Sequence, residues 1–285
     1  MQAYEELKVD IADGYQAYAR FWTHQGDMRG SVLYQHGIQS HCGWYETSAR
    51  RLAEAGYDVL QIDRRGSGLN TRDRGHAESA DQLLEDARLA QAHLLDRTNC
   101  AACHLVGVSW GGKLVAGSYA ANPHRTLSLS LVTPGLFPKV GVSGQTMAKI
   151  GMAMLYERKQ LFDIPLNDPD LFTTVPKWQQ FFREDKPTLR QCTAGFYLAS
   201  RRMDKIIQGL GDRPAVPVHL LLAGDERIVD NGKTEAFVDR LCWPGTKITM
   251  YETARHSLEF EDDPEIYFRD LVSFITDVDD RRATR

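Results

Sequence analysis

The sequence predicts an α/β protein built on a mostly parallel, doubly wound sheet with a helical cap inserted into it. Short apolar runs alternate with longer segments whose apolar residues recur near a period of 3.6, the pattern of strands followed by helices. This alternation stops at Pro134-Gly135 and resumes at Val216. The stretch between them, about 80 residues, is too long for a connection, and open α/β sheets bind ligands at the edge it would cover. We therefore predict a core of residues 1–134 and 214–285 and a helical cap of residues 135–213.

The individual elements follow from apolar periodicity and from the residues that end helices. Alternating side chains predict a half-exposed strand over 14–24, and a short apolar run predicts another over 31–35. Gly56 ends a helix predicted over 44–55. The remaining predictions before the insertion are a strand over 57–62, a helix over 80–95, a strand over 103–108, a helix over 111–121 and a strand over 127–132. After it we predict a strand over 216–223, a helix over 234–242, a strand over 247–251 and a helix over 264–278.

Composition is that of an ordinary globular protein. Of 285 residues, 42% are hydrophobic and 25% are charged, and the net charge of −4 gives no sign of nucleic-acid binding. No apolar run approaches the ~18 residues of a membrane-spanning helix. No basic stretch followed by an apolar one opens the chain, so we expect no signal peptide and a cytoplasmic location. The five cysteines are an odd number and are expected to be reduced thiols.

One serine stands out by its surroundings. Ser109 lies in the pattern G-x-S-x-G, between the strand predicted over 103–108 and the helix predicted over 111–121. Gly107 and Gly111 allow strand and helix to pass closely, and the turn presents the serine hydroxyl in front of a helix N-terminus. The alternative is an ordinary helix N-cap serine after a buried strand. The combination of motif and flanking elements favours a nucleophile.

Two other motifs admit different interpretations. Residues 100–104 match the C-x-x-C-H pattern of covalent haem attachment, but Cys103 and His104 open a predicted buried strand. We therefore interpret them as a loop-to-strand junction. The run 63–68 holds two arginines and two glycines, which could cradle a phosphate, yet it lacks the spacing and the lysine of a phosphate-binding loop. A tight turn after a strand is the simpler interpretation, and we predict neither cofactor nor metal.

Taken together, the motifs resemble the α/β-hydrolase superfamily over nearly the whole chain. The similarity is to the monoacylglycerol lipase and lysophospholipase-like branch, also called serine aminopeptidase-like. It rests on HGIQS at 36–40, DRRGSG at 63–68, GVSWG at 107–111, LAGDERIVD at 222–230 and RHS at 255–257. These follow the family's chain order of nucleophile, acid and histidine.

The resemblance implies roles for particular residues. Ser109 requires a base, and His256 follows the last predicted strand, beyond the acid-bearing segment. The family's acid lies two residues before an apolar pair, which selects Glu226, with Asp225 as the alternative. The resemblance also implies an oxyanion hole formed by the backbone N–H groups of Ile38 and Trp110.

Three further histidines remain to be assigned. His36 is implied to shape the oxyanion loop, whereas His41 and His76 lie in loops that could border the site.

The sequence thus predicts a serine hydrolase that cleaves carboxylic esters with an apolar acyl group. The resemblance implies monoacylglycerols or lysophospholipids as the substrate class. Most apolar residues of the predicted cap are expected to pack as a helical core. The remainder could line an acyl-chain channel, and Trp178 and Phe182 are the candidates for contacting the acyl chain. Alternatives on the same residues are an amide or thioester hydrolase, an acyltransferase, and a ligand-binding homologue without catalysis. The predicted partner is a small acyl ester, and neither nucleic acid nor an integral membrane segment is expected.

Overall fold

The protein is described by a computed structural model over residues 4–284, so the outermost residues of the predicted core, 1–3 and 285, lie outside the described residues. Eight strands form one sheet in the order β1-β2-β4-β3-β5-β6-β9-β10. Strands β1 and β2 are antiparallel to their neighbours and the other pairs are parallel. The strands are β1 (Glu5–Ile11), β2 (Tyr15–Trp22), β3 (Gly30–Gln35), β4 (Tyr57–Ile62), β5 (Cys103–Val108), β6 (Thr126–Val132), β9 (Val218–Ala223) and β10 (Lys247–Tyr251). The predicted fold class is confirmed.

Helices cover both faces of this sheet. Side chains alternate along a strand, so neighbouring residues report on opposite faces. On β5, Cys103 contacts Gln91 of α2, whereas His104 contacts Asp279 of α8. The α-helices are α1 (Glu46–Glu54), α2 (Ala80–Thr98), α3 (Trp110–Ala121), α4 (Gly144–Tyr156), α5 (Pro176–Glu184), α6 (Ala194–Ile207), α7 (Asn231–Asp239) and α8 (Glu265–Ala283). No helix among residues 4–284 is long and apolar enough to cross a membrane.

The first two strands differ from the sequence-based prediction. Strand β1 was not predicted, because its residues are mostly polar and exposed at the edge of the sheet. Strand β2 is buried over most of its length rather than half-exposed. On the side of β2 that the alternation predicts to be exposed, Arg20 pairs with Glu46 of α1, and Trp22 donates a hydrogen bond to Gln61 of β4 at 2.8 Å.

The chain between β6 and β9 contains α4, α5 and α6, and none of its elements joins the eight-stranded sheet. It also holds a second sheet, of two antiparallel strands, β7 (Leu161–Asp163) and β8 (Gln191–Thr193). The sequence predicted only helices here, because strands of three residues are too short to show a period of two.

A buried carboxylate connects the loop after β10 to α1. Glu259 accepts hydrogen bonds from the backbone N–H groups of Thr47 and Ser48, both at 3.1 Å, and from Ser48 Oγ at 2.5 Å. It lies three residues after His256 and therefore anchors the segment that carries that histidine. Burial raises the pKa of Glu259 to about 7.

This carboxyl should make stability depend on pH. Its pKa is higher in the folded than in the unfolded chain, so its contribution is complete below about pH 4.5 and is lost as the pH rises towards 7. We expect the free energy of unfolding to fall by about 3 kcal/mol over this range on account of Glu259. Glu259→Gln, which imitates the protonated acid, should lack this component when urea unfolding is measured at each pH. Identical pH slopes for the two proteins would contradict the assignment.

Candidate active site

Ser109 occupies a strained turn between β5 and α3. Its backbone has φ 54° and ψ −121°, a region that residues with a Cβ rarely adopt. The turn is held by hydrogen bonds from Ser109 N–H to the Val132 carbonyl and from Gly135 N–H to the Ser109 carbonyl, both 2.8 Å. The strain is therefore balanced by the end of β6 and the residues that follow it.

Two glycines allow this turn to form. A Cβ at Gly107 would lie 2.4 Å from the Gly111 carbonyl oxygen, and one at Gly111 would lie 2.3 Å from the Gln35 carbonyl oxygen. Any side chain would force strand and helix apart, which is the steric reason for the glycines of the G-x-S-x-G motif.

His256 lies beside this serine, in the loop between β10 and α8. The distance from His256 Nε2 to Ser109 Oγ is 2.8 Å, and the imidazole is almost fully buried. Thr133, directly after β6, donates a hydrogen bond from Oγ1 to the His256 carbonyl at 2.9 Å. Sequence analysis did not single out Thr133, because its role depends on a contact between distant segments.

Glu226 completes a hydrogen-bonded chain of three side chains. Its Oε2 lies 2.8 Å from His256 Nδ1, and its Oε1 accepts from the backbone N–H groups of Ile228 and Val229 at 2.7 and 3.3 Å. Burial raises the pKa of this carboxyl, but His256 and the two backbone donors outweigh burial, and the net pKa is lowered. The carboxylate therefore stays ionised opposite the imidazole.

Asp225, the alternative acid, faces away from this chain. Its side chain is exposed and forms ion pairs with Arg255 at 2.6 Å and with Arg227 at 3.3 Å. These two arginines lower the pKa of Asp225. Of the two predicted acids, the structure brings only Glu226 to His256.

The two predicted oxyanion donors flank Ser109. Trp110 is the first residue of α3, so its N–H has no carbonyl of the preceding helical turn to bond. Ile38 belongs to the loop after β3 and lines the same cavity as Ser109. A Cβ at Gly37 would lie 3.3 Å from Ser109 Cβ, which shows how closely this loop approaches the serine.

The remaining candidate histidines have other partners. His41 pairs with Asp185, and His76 bonds Thr193 Oγ1 at 2.9 Å. His36 is buried in the loop that carries Ile38. Neither His41 nor His76 is brought to Ser109.

The motifs with alternative interpretations are used for internal contacts. In the run 63–68, Arg65 pairs with the buried Asp86 at 2.8 Å. In the C-x-x-C-H motif, His104 is fully buried and bonds Ser128 Oγ at 2.8 Å. Among residues 4–284 no group of three or more histidine, cysteine or acidic side chains is arranged to hold a metal ion.

A cavity of about 360 Å³ opens onto Ser109. This volume lies within the usual range of small-molecule sites, ~300–1,000 Å³. Part of its lining is polar, because Lys113 Nζ pairs with Asp204 Oδ1 there at 2.6 Å. Apolar side chains from the segment between β6 and β9 form much of the remaining wall: Pro138, Val140, Val142, Met147, Ile164 and Leu166.

Trp178 and Phe182 are not part of this wall, contrary to the sequence-based expectation. Phe182 stacks on Trp44 with ring centroids 4.3 Å apart, and Trp178 meets Phe260 edge-on at 5.2 Å. Both rings belong to an aromatic cluster that joins α5 to the core. The abundance of apolar side chains in the predicted cap does not distinguish packing from a ligand cavity, and both rings pack against other aromatic rings.

Comparison with known proteins extends this description. A family model described as Hydrolase_4, serine aminopeptidase S33, matches residues 26–263. A monoacylglycerol lipase of Mycolicibacterium smegmatis is 24% identical over 260 residues, which cover 89% of this chain and 90% of that protein. An uncharacterized abhydrolase domain-containing protein of Dictyostelium discoideum is 25% identical over 263 residues, 90% of this chain, and the chain spans only 27% of that relative.

A solved structure shares the fold. A soluble variant of monoglyceride lipase from Saccharomyces cerevisiae, in complex with a substrate analogue, aligns with a TM-score of 0.85 and 18% identity over 98% of this chain and 96% of that one. At this identity the similarity concerns the fold alone.

Proposed function

This chain belongs to the serine aminopeptidase S33 family, in the monoacylglycerol lipase-like branch of the α/β-hydrolases, and on that basis we propose that it is a serine hydrolase of carboxylic esters with an apolar acyl group. The observation that carries the proposal is the hydrogen-bonded chain from Ser109 through His256 to Glu226 beside an apolar cavity. In this proposal Ser109 is the nucleophile, His256 the general base and Glu226 the acid that orients it.

The proposed reaction proceeds through an acyl-enzyme. Ser109 Oγ attacks the ester carbonyl carbon while His256 Nε2 takes the hydroxyl proton, and ionised Glu226 balances the imidazolium. The tetrahedral oxyanion accepts hydrogen bonds from the N–H groups of Ile38 and Trp110. His256 then protonates the leaving alcohol, and a water molecule, deprotonated by the same histidine, hydrolyses the acyl-enzyme.

We further propose that residues 135–213 form a cap that determines substrate choice. The proposal is supported by the apolar side chains that this segment contributes to the cavity wall. They suit an acyl chain, while the polar part of the lining, at Lys113 and Asp204, suits the alcohol part of the ester. Monoacylglycerols and lysophospholipids fit both requirements, and one relative carries the name monoacylglycerol lipase.

Chain-length selectivity tests the cap proposal. Val142→Trp places a larger side chain in the apolar wall, which should fill part of the cavity and displace about two methylenes of a long acyl chain. At about 0.8 kcal/mol per methylene, the ratio of kcat/KM for decanoate over butyrate nitrophenyl esters should fall about tenfold. Leu155→Trp, at an exposed position of α4 outside the cavity, is the matched control. An unchanged ratio in Val142→Trp would show that the proposed cap does not determine which acyl chain is bound.

The nearest alternatives keep the same residues but change the substrate or the acceptor. Two measurements test the proposed ester hydrolase activity. The first is labelling with a fluorophosphonate probe, and the second is turnover of nitrophenyl esters, monoacylglycerols and lysophospholipids. Faster turnover of amides or thioesters with the same acyl group would identify an amide or thioester hydrolase. With an alcohol added, a product mixture dominated by the new ester rather than the free acid would identify an acyltransferase. A protein that neither labels nor turns over any acyl substrate would be a ligand-binding homologue.

A further inference from the structure

Arg64 is a buried arginine without a carboxylate partner. Its side chain is 5% exposed, and among residues 4–284 no acidic group lies within ion-pair distance of its guanidinium. Its neighbour Arg65, equally buried, pairs with Asp86. Burial lowers the pKa of Arg64 to about 10, so the group is still charged at neutral pH. Since burying an unpaired charge is costly, the position of this cation requires an explanation.

The guanidinium is bound to the loop that carries the proposed oxyanion donor. Arg64 Nη1 donates to the Gly37 carbonyl at 3.2 Å and Nη2 to the Ile38 carbonyl at 3.1 Å. Its plane also lies over the indole ring of Trp110, with 4.7 Å from Cζ to the ring centroid. One side chain therefore contacts both residues whose N–H groups are proposed to bind the oxyanion.

The backbone of Arg64 acts on the same loop through His36. Arg64 N–H donates to His36 Nε2 at 2.9 Å, which leaves the proton of the neutral imidazole on Nδ1. His36 Nδ1 then donates to the Gly37 carbonyl at 2.7 Å. Burial, followed by the charge of Arg64, lowers the pKa of His36 well below its usual range, consistent with a neutral ring.

The Gly37 carbonyl and the Ile38 N–H are the two ends of one peptide group. Hydrogen bonds accepted at the carbonyl fix the plane of this group and polarise it, which makes its N–H a stronger donor. The carbonyl accepts two such bonds, one from the guanidinium and one from His36. A fixed and strengthened N–H donor is what an oxyanion forming beside Ser109 requires.

We propose that Arg64 is a positioning residue of the oxyanion hole, which orients and polarises the Gly37–Ile38 peptide group through its guanidinium and through His36. The inference rests on the proposed function, because it requires an oxyanion at Ser109. Its effect belongs to the transition state, so it should appear in kcat rather than in KM.

Arg64→Met removes the charge and the donors but keeps the aliphatic stem. We expect kcat for nitrophenyl butyrate to fall about 10²-fold with KM changed by less than about threefold, the usual size of losing an oxyanion contact. A trifluoromethyl ketone forms a tetrahedral oxyanion on the serine, and its inhibition constant should rise by the same factor. Arg64→Lys retains the charge but replaces the planar fork of two terminal nitrogens by a single ammonium nitrogen, and should lose about tenfold in kcat.

Phe196→Leu is the control for packing, because Phe196 lies 5.0 Å from the guanidinium carbon and 5.1 Å from the Trp110 ring, and its side chain has no hydrogen-bonding group for the Gly37–Ile38 peptide. It should lower the melting temperature and leave kcat unchanged. An unchanged kcat in folded Arg64→Met would overturn the inference. If the methionine variant does not fold, an unchanged kcat in Arg64→Lys would do the same. A loss of kcat in Phe196→Leu as large as in the Arg64 variants would also overturn it. A wild-type protein that neither labels with fluorophosphonate nor hydrolyses esters would remove the proposed function itself, and this inference with it.

Discussion

Replacing Ser109 with alanine should lower kcat/KM for nitrophenyl butyrate by roughly 10³-fold or more and abolish labelling by a fluorophosphonate probe. No other hydroxyl can replace the one that lies 2.8 Å from His256 Nε2, since attack requires both the nucleophile and its base in contact. The substitution removes a single oxygen atom, so the fold should persist. Activity, labelling and melting temperature measured on the same preparation distinguish the loss of the nucleophile from a loss of folded protein.

A serine on the same helix provides the matched control. Ser118 lies two and a half turns further along α3, and among the described residues its buried Oγ has no hydrogen-bond partner. Ser118→Ala should leave both labelling and turnover unchanged. Retained labelling in Ser109→Ala would assign the nucleophile to another residue.

A glycine variant distinguishes chemistry from strain. Ser109 has a φ of 54°, which glycine adopts without the cost that a Cβ imposes. Ser109→Gly should therefore be as inactive as the alanine variant but more stable, by about 1 kcal/mol. A less stable glycine variant would show that the turn stores little strain.

The central strands are the part of the fold that the sequence predicts most accurately. Strands β4 and β5 have the bounds expected from their apolar runs, because they lie inside the sheet and are buried on both faces. Strand β10, at the edge opposite β1, also has the expected bounds. Strand β1 and the two strands of the small sheet were missed. An edge strand such as β1 is stabilised by pairing with β2 along its backbone, which side-chain patterns do not record.

Contacts between distant segments were the part of the site that the sequence could not supply. Motif order singled out Ser109, His256 and Glu226, and the structure brings these three side chains together. Motif order did not single out Arg64. The carbonyl groups that this arginine binds are 26 and 27 residues away, and a backbone carbonyl leaves no mark in the sequence. Trp178 was a candidate for contacting substrate because the predicted cap is rich in apolar side chains, and their abundance does not show which of them pack and which line a cavity.

Glu226→Gln should lower kcat by on the order of 10⁴, the loss seen when an equivalent acid is converted to its amide. His256 must accept the serine proton at Nε2, which requires its own proton at Nδ1. Nδ1 donates a hydrogen bond to Glu226 Oε2 at 2.8 Å, and this bond holds the proton there. A glutamine amide that turned its NH₂ group to Nδ1 would select the opposite tautomer. Even with its oxygen towards the ring, the neutral amide cannot balance the imidazolium.

Asp225→Asn is the matched control, because it makes the same chemical change one residue earlier. Asp225 is exposed, and its partners are Arg255 and Arg227 rather than His256. We expect this variant to retain most of its kcat, with only a small change in melting temperature, because ion pairs at the surface contribute little. Comparing kcat for the two variants on one ester decides between the acids. A large loss in Asp225→Asn with a small loss in Glu226→Gln would assign the acid to Asp225, in which case the turn after β9 must rearrange during catalysis.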